Sequence, residues 1–278
     1  MPDSGSPPSQ NPFSTTTKLE YFVAPTDGDR PWLKINANPV TGIQEKSFTR
    51  EEKDVVIQNI RGKEDTATID SAGFQYAHAP AKHTSFLNDE EIMKEYYPES
   101  IELLKKLTGA SRVVLFDHST FLLFLGSLLF LNLTLSTTAI RRRRPGVSDD
   151  HPSRRQPVAQ VHVDQTAKSA VARVHRHLPA EEVPELLKRR FQIINLWRPI
   201  GHPALDWPLG VCDYRSVSPE KDAVPVALIY EDHEGETLSI KYNPNHKWYY
   251  MYNMTPEEVV MIKWYVLRRL NYIEWWQV

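Results

Sequence analysis

The sequence predicts a mainly β or α+β fold, in which an antiparallel sandwich or barrel is flanked by helices. Strand-like segments outnumber helix-like segments in the second half of the chain, and turn residues separate them about every ten residues. The chain contains no GxGxxG, P-loop or GxSxG motif. Their absence argues against the common nucleotide-binding and serine-hydrolase classes and disfavours a doubly wound parallel sheet.

Composition leaves room for one large domain or two small ones. The 278 residues are 41% hydrophobic and 24% charged, with a formal net charge of −2. Because the charge is near neutral and no basic face with interleaved aromatic residues is present, we expect no nucleic-acid partner. Cys212 is the only cysteine, so no intramolecular disulfide can form and a cytoplasmic location is expected.

The first half of the chain begins with a polar segment rich in proline and serine. We expect residues 1–18 to be a disordered tail and residues 19–278 to form a single domain. Short strands are expected at "KLEYFVAP", "WLKINANP", "FQYAHAP" and "RVVLFDH". Between the last two, "NDEEIMKEYYPESIELLKKLTGA" predicts a helix that starts with acidic residues, is kinked or divided by Pro98 and ends at Gly109.

The second half alternates between strand and helix signals before becoming mostly β. Strands are expected at "VAQVHVDQT", "FQIINLWRPI", "PVALIYED" and "TLSIKYNP", the last two joined by the turn "HEGE", with "KWYYMYNM" pairing beside them. Helices are expected at "AKSAVARVHRHL", "PAEEVPELLKRRF" and "TPEEVVMIKWYVLRRL". The third of these helices is predicted from a capping box between Thr255 and Glu258, with Pro256 at the first helical position.

An apolar run at about residues 120–140 is followed by four arginines. It is long enough to cross a bilayer, so a single-pass anchor is one interpretation. An anchor would place the strands "VVLFDH" and "VHVDQ" on opposite sides of the membrane, and one β domain cannot be built in that way. We therefore favour an insertion into a surface loop, or a translated intron, and expect no membrane association.

The sharpest chemical signal is His162 and Asp164 in "VHVDQ", here called the HxD pair. Alternate residues of a strand point to the same face, so the imidazole and the carboxylate would emerge side by side. Such a pair can supply two ligands of a 2-His-1-carboxylate iron site. The spacing alone is more typical of a histidine and an aspartate on a solvated strand edge, and no second histidine stands out: His202, His233 and His246 all lie in predicted turns.

Polar residues on two other segments could line a small-molecule pocket. Arg198 ends an apolar strand, where its planar guanidinium could hold a carboxylate or simply stack on an aromatic ring. Lys241, Tyr242 and Asn243 in "KYNPNHKWYY" combine polar tips with apolar bodies, although such aromatic strands also form ordinary cores. Cys212 has no neighbouring base, so we discount it as a nucleophile.

Taken in order, "RVVLFDH", "RRRRPG", "VAQVHVDQTAKSAVARVHRHL", "RFQIINLWRPIGHPALDWPLGVCDYRSV" and "IKYNPNHKWYYMYNMTPEEVVMIK" resemble the fungal AsaB-type hydroxylase/desaturase family. Its relatives are described as gibberellin-desaturase-like or cephem-methoxylase-like proteins. The resemblance implies an oxidoreductase acting on a small natural product, with a double-stranded β-helix (jelly-roll) core and Fe(II) and 2-oxoglutarate as cofactors. It further implies that the HxD pair binds the metal, that Arg198 contributes to cofactor and substrate binding, and that Lys241, Tyr242 and Asn243 line the pocket.

The chain departs from the family pattern after Lys263. Family members continue with a segment similar to "TPHTAF", whose histidine is the natural second histidine ligand, whereas this chain reads "WYVLRRLNYIEWWQV". The resemblance therefore implies that residues 264–278 are an atypical tail, that the jelly roll is incomplete at this end and that iron binding is weak. Loss of activity is one expectation; a membrane-anchored protein, a non-catalytic binding protein and a methyltransferase are the alternatives.

Overall fold

A computed structural model of the protein describes residues 12–36, 38, 40–116, 133–137, 141, 143–144, 156–267 and 273–275. The described strands form three sheets. The first has the order β1-β3-β12-β9 and comprises β1 (Ser14–Val23), β3 (Thr49–Asn59), β12 (Trp248–Tyr250) and β9 (Val211–Cys212). The second has the order β2-β10-β11-β7 and comprises β2 (Trp32–Lys34), β10 (Ala223–Ile229), β11 (Glu234–Ile240) and β7 (His162–Val163).

The third sheet contains the six remaining described strands. Its order is β14-β13-β8-β6-β5, with β4 also paired to β13, and it comprises β14 (Ile273–Trp275), β13 (Glu258–Leu267), β8 (Phe191–Trp197), β6 (Leu133–Thr137), β5 (Arg112–Phe116) and β4 (Phe74–His78). The helices are α1 (Asp89–Glu91), a π-helical turn (Ile92–Tyr96), α2 (Tyr97–Thr108), α3 (Ala167–His177), α4 (Val183–Leu187) and α5 (Pro219–Asp222). The prediction of a mainly β fold with flanking helices is confirmed.

Two layers of apolar contacts hold the third sheet in place. The main core joins buried residues of all three sheets, among them Tyr21, Val163 and Val260. On the other face of the third sheet, Leu104 of α2 packs against Ile194 of β8 and neighbouring residues. Burial on both faces fixes β8 and β13 as central strands, and this rigidity matters for the site described below.

The helix predicted over residues 88–110 is confirmed, including both of its ends. The Asn88 side chain accepts a hydrogen bond from the Glu90 N–H at the start, and Gly109 adopts a left-handed conformation at the end, with φ of 68°. Pro98 does not divide the helix. The π-helical turn immediately precedes α2, and it accommodates a residue that cannot donate to the helical ladder.

The helix predicted for "TPEEVVMIKWYVLRRL" is wrong, because this segment forms β13. The local signature is present, since Glu258 accepts a hydrogen bond from the Thr255 N–H at 2.8 Å, but it closes a turn rather than a helix. Val259 and Val260 are both fully buried, on opposite faces of the strand. Pairing with β4 on one side and β8 on the other therefore overrides the local helix signal.

Other strand predictions hold, with differences in extent and pairing. Strand β12 pairs with β3 and β9 rather than with β10 and β11, and β3 itself was not predicted because its sequence "TREEKDVVIQN" is rich in charge. Strand β1 begins at Ser14, inside the segment expected to be a disordered tail.

Within the apolar run at 120–140, the described residues Leu133–Thr137 form β6, which lies between β5 and β8; the rest of the run lies outside the described residues. Among the described helices, none has the length and apolarity needed to span a bilayer.

Candidate metal centre

The HxD pair lies at the edge of the second sheet, on a very short strand. In β7, His162 is opposite Ser239 and Val163 is opposite Leu238 of β11. Val161 and Val163 are buried in the main core, so the alternation of the chain turns His162 and Asp164 to the other side. Their side chains do lie next to each other, with 3.2 Å between His162 Nε2 and Asp164 Oδ1.

Three neighbouring groups support the HxD pair. The His162 Nδ1–H donates to the backbone carbonyl of Gln160 at 2.7 Å, which leaves Nε2 as the nitrogen that faces Asp164. Asn195 of β8 donates from Nδ2 to Asp164 Oδ2 at 3.1 Å. The Trp264 ring of β13 lies nearly parallel to the imidazole of His162, at 26° and 6.2 Å between centres. The pair is thus held by the second and third sheets together.

Electrostatics favour a charged pair. Burial by itself favours the neutral imidazole, but the hydrogen bond and the negative charge of Asp164 outweigh it and raise the pKa of His162 above its ordinary value. Burial also opposes ionisation of Asp164, yet hydrogen bonds from His162 and Asn195 and the charge of His162 hold the pKa of this carboxyl below its ordinary value. Both shifts favour the charged forms, a protonated imidazole beside an ionised carboxylate.

The geometry of the pair suits two adjacent ligands of one metal ion. Ligand atoms about 2.1 Å from an octahedral ion, at neighbouring positions, lie about 3.0 Å apart, close to the 3.2 Å observed. The side chains of His162 and Asp164 are 30% and 34% exposed, so an ion can reach them. A nitrogen and a carboxylate oxygen are the donors of a 2-His-1-carboxylate iron site.

A third protein ligand is missing from the described part of the chain. No group of three histidine, cysteine or acidic side chains that could hold a metal ion occurs there. His202 contacts its own turn through the carbonyl of Pro203, and His233 pairs with Asp232 at a hairpin. Two further histidines, at positions 118 and 151, lie outside the described residues.

Arg198 is placed away from the HxD pair. Its Nη1 donates to the carbonyl of Pro256 at 2.6 Å, and its Nε donates to the Tyr96 hydroxyl at 3.4 Å. Its guanidinium carbon is 6.0 Å from the centre of the Tyr96 ring. Tyr96 belongs to the helical segment that leads into α2, on the outer face of the third sheet, so the structure does not bring Arg198 to the HxD pair.

Lys241, Tyr242 and Asn243 surround a different histidine and aspartate. His246 Nε2 lies 3.1 Å from Asp222 Oδ2, and we call these two residues the buried pair. Asn243 donates to both oxygens of Asp222, at 3.2 and 3.1 Å, and the backbone N–H of Lys241 donates to the Asp222 carbonyl.

Aromatic contacts complete this second cluster. The Tyr242 ring meets Tyr21 edge-on at 5.1 Å, and Lys53 lies above the Tyr242 ring. Tyr21 in turn stacks on His246 and accepts a hydrogen bond from the Trp248 indole. The segment "KYNPNHKWYY" therefore packs the first sheet against α5 through the buried pair.

Cys212 lies in β9, close to the same cluster, and is buried. Burial raises the pKa of its thiol to about 12; the hydrogen bond with Ser216 acts in the opposite direction, and the negative charge of Asp213 adds to the rise. A thiol of this kind stays protonated and is a poor nucleophile.

Sequence reasoning missed the residues that support the HxD pair. Asn195 is the one uncharged amide side chain in the centre of the apolar segment "IINLW", and a polar residue in a buried strand was the signal that could have identified it. Trp264 was assigned to a helix that does not form. Its partner His162 is remote in sequence, so no local pattern indicated the contact.

Solved structures share this fold. The iron and alpha-ketoglutarate-dependent endoperoxidase NvfI superposes with a TM-score of 0.70 at 22% identity, covering 94% of this chain and 86% of that one. A second structure of NvfI, in a different conformation, gives a TM-score of 0.71 at 21% identity and covers 95% and 93% of the two chains. At this identity the likeness concerns the fold.

Sequence relatives are fungal oxidoreductases. The chain is 34% identical to hydroxylase/desaturase efuI of Hormonema carpetanum over 92% of this chain and 84% of the relative. It is 28% identical to the Fe(II)/2-oxoglutarate-dependent dioxygenase nvfI of Aspergillus novofumigatus, over 88% of this chain and 81% of the relative.

A family model of an oxidoreductase domain also matches most of the chain. The model described as "Oxidoreductase/YMDC permease-like domain" matches residues 19–122 and 132–269, and it passes over residues 123–131 within the apolar run. With an aligned length of this extent and a relative at 34% identity, the chain belongs to the fungal hydroxylase/desaturase family.

Proposed function

We propose that this protein is a non-haem oxidoreductase, a hydroxylase or desaturase that uses Fe(II) and 2-oxoglutarate to act on a small molecule of secondary metabolism. The HxD pair is the observation that carries the proposal, because it sets a nitrogen and a carboxylate oxygen 3.2 Å apart at an accessible edge. The names of the relatives and of the structural neighbours support the cofactor assignment. The same neighbours support a double-stranded β-helix as the arrangement of the sheets.

In this proposal His162 Nε2 and Asp164 Oδ1 are the two protein ligands. The Gln160 carbonyl holds the Nδ1 proton, so the lone pair of Nε2 is available once the proton shared with Asp164 leaves. Metal binding at the HxD pair therefore displaces that proton. Bound Fe(II) would supply the activation of dioxygen, coupled to oxidation of 2-oxoglutarate, that the reaction requires.

The described residues supply two protein ligands rather than three, and this difference has a measurable consequence. A two-ligand site leaves more positions to water and to the cosubstrate and holds the ion less firmly than a complete triad. A site held by these two ligands alone would release iron readily and would need excess metal for full occupancy. Measuring iron occupancy also tests the loss of activity that the resemblance implies.

The other site residues remain predictions. Arg198 would have to release the Pro256 carbonyl before it could bind a carboxylate. Asn243 already donates hydrogen bonds to Asp222. Tyr242 is 38% exposed and could contact a substrate. Substitution of each residue by alanine, followed by separate measurement of stability, iron content and turnover, distinguishes a pocket role from a packing role.

The experiment that tests the function begins with the purified full chain, reconstituted with Fe(II) under anaerobic conditions. We expect bound iron and succinate formation from 2-oxoglutarate, both lost in His162→Ala and Asp164→Ala. His175→Ala, on an exposed face of α3, is the matched control and retains both. Iron retention in both site variants would refute the assignment, as would a wild-type protein that binds no iron at any concentration tested.

A further inference from the structure

We propose that Asn195 is a positioning residue that fixes the orientation of the Asp164 carboxylate and so sets how tightly and in what geometry the HxD pair binds a divalent cation. This inference rests on the proposed function, and it concerns a residue that none of the motifs indicated. Its basis is the hydrogen bond from Asn195 Nδ2 to Asp164 Oδ2, at 3.1 Å between residues 31 positions apart.

The two ends of this hydrogen bond differ in how firmly the backbone holds them. Asn195 lies in β8, which pairs with β13 on one side, opposite Ile262, and with β6 on the other. The neighbouring residues Ile193 and Ile194 are fully buried on opposite faces. Asn195 is therefore anchored by its pairing with β13 on one side, while β6 holds β8 on the other side as far as Ile193 and apolar layers cover both faces.

Asp164 has much less support from its own segment. It follows β7, a strand of only two residues, and its side chain is 34% exposed. Rotation of the carboxylate about its terminal torsion has broad, shallow energy wells, so the backbone alone does not select an orientation. The hydrogen bond from Asn195, whose backbone is held in the third sheet, supplies that selection.

The orientation has a defined chemical consequence. Because Oδ2 accepts the amide N–H, Oδ1 is the oxygen that faces His162 Nε2, and a cation at the pair meets one carboxylate oxygen rather than both. An amide is neutral, so Asp164 keeps the full charge that attracts the cation; a lysine or arginine at this position would compete with the metal. Groups of this kind, behind the ligands themselves, commonly change metal affinity by about 10–100-fold when removed.

The chain offers a matched control for a hydrogen bond to the same strand. Thr237 of β11 donates from its hydroxyl to the backbone carbonyl of Val163, next to Asp164. Thr237→Val removes this bond and loosens β7 without altering the contact to the carboxylate. A purely structural role for Asn195 predicts that the two substitutions have similar effects on metal binding.

The test is titration of the metal-free full chain with Co²⁺ alone, followed by calorimetry and by the visible spectrum of the bound ion. We expect Asn195→Leu, which conserves volume but removes the donor, to bind Co²⁺ about 10–100-fold more weakly. We also expect an altered spectrum at saturation, because a freely rotating carboxylate changes the coordination geometry. Asn195→Ala is the second variant if the leucine variant does not fold, and Thr237→Val should retain wild-type affinity and spectrum.

The outcomes separate this inference from the proposed function. If wild-type protein binds Co²⁺ and His162→Ala does not, while the Asn195 variants match wild type in affinity and spectrum, the positioning role is overturned and the metal site stands. Equal weakening in Thr237→Val and Asn195→Leu also overturns it. If wild-type protein does not bind Co²⁺, or His162→Ala binds it equally well, the proposed function and the inference fall together.

Discussion

Two histidine–aspartate contacts of nearly equal length occur in this molecule, and their surroundings are opposite. The HxD pair is separated by 3.2 Å and its side chains are about one-third exposed. The buried pair, His246 and Asp222, is separated by 3.1 Å, with side chains 1% and 6% exposed. Distance alone therefore does not identify a metal site; accessibility and the remaining hydrogen-bond partners do.

The hydrogen-bond partners of Asp222 show that the buried pair has a structural role. It joins two segments of the chain, and we call it the clamp. Asp222 closes α5, where its Oδ2 accepts the backbone N–H of Ser218 at 2.8 Å, and it also accepts bonds from Asn243 and His246. These four groups bring α5 and the segment after β11 together. Asp164 of the HxD pair, by contrast, presents an oxygen at an accessible edge, where the proposed function places a cation.

The largest expected effect is on stability, and it contrasts the two aspartates. Asp222→Ala leaves several buried donors without their acceptor and should lower the free energy of unfolding by about 3 kcal/mol or more. Asp164→Ala, at a partly exposed edge, should change it by about 1 kcal/mol or less. Urea denaturation of the two variants measures the difference. Similar values would remove the distinction between clamp and site.

The pH dependence of stability should follow the buried pair. Burial favours the protonated acid, but hydrogen bonds from Ser218, His246 and Asn243 outweigh it and hold the pKa of Asp222 below its ordinary value. A depressed pKa contributes stability that is present above about pH 4 and is lost as the pH falls through the folded-state value. The difference in free energy of unfolding between wild type and Asp222→Asn should become smaller over this acidic range. A difference that grows there would contradict the structural role of the Asp222 carboxylate.

A smaller, local effect is expected at Trp264 beside the HxD pair. Its ring lies 6.2 Å from that of His162, so Co²⁺ bound at the pair should quench its fluorescence. Trp264→Phe should remove most of the metal-dependent quenching. The substitution should remove no hydrogen bond that stabilises the fold, because the buried indole N–H has no partner among the described residues. Unchanged quenching in the variant would place the metal elsewhere.

The smallest expected effect is on the rate of thiol alkylation at Cys212, near the buried pair. With the pKa of its thiol raised to about 12 by burial, we expect no alkylation by iodoacetamide at pH 8 in the native protein and complete alkylation in denaturant. Labelling should accelerate in Asp222→Ala and remain slow in Asp164→Ala. Rapid labelling of the native wild type would show that this region opens independently of the clamp.

The sequence predicted what depends on local periodicity. The placement of His162 and Asp164 on one side of a strand follows from the alternation with Val161 and Val163, and that alternation is visible in four residues. The helix α3 begins where Thr166 can cap it, and its side chain does accept the Ser169 N–H.

What the sequence could not supply are contacts between remote segments. Glu258 and Thr255 satisfy a helix-start signature, but pairing between β13 and two distant strands decides the outcome. Asn243 appeared to be a pocket residue because its partner Asp222, 21 positions earlier, was not identifiable as a neighbour. Local rules describe which side a residue faces, whereas the residue it meets is set by sheet order.

The most direct measurement is a crystal structure of the full chain with Mn²⁺, which stands in for Fe(II), located by its anomalous scattering. We expect a peak within about 2.3 Å of both His162 Nε2 and Asp164 Oδ1, with Asn195 still bonded to Oδ2. A peak at the buried pair, or an HxD pair that stays metal-free while Mn²⁺ binds elsewhere, would contradict it.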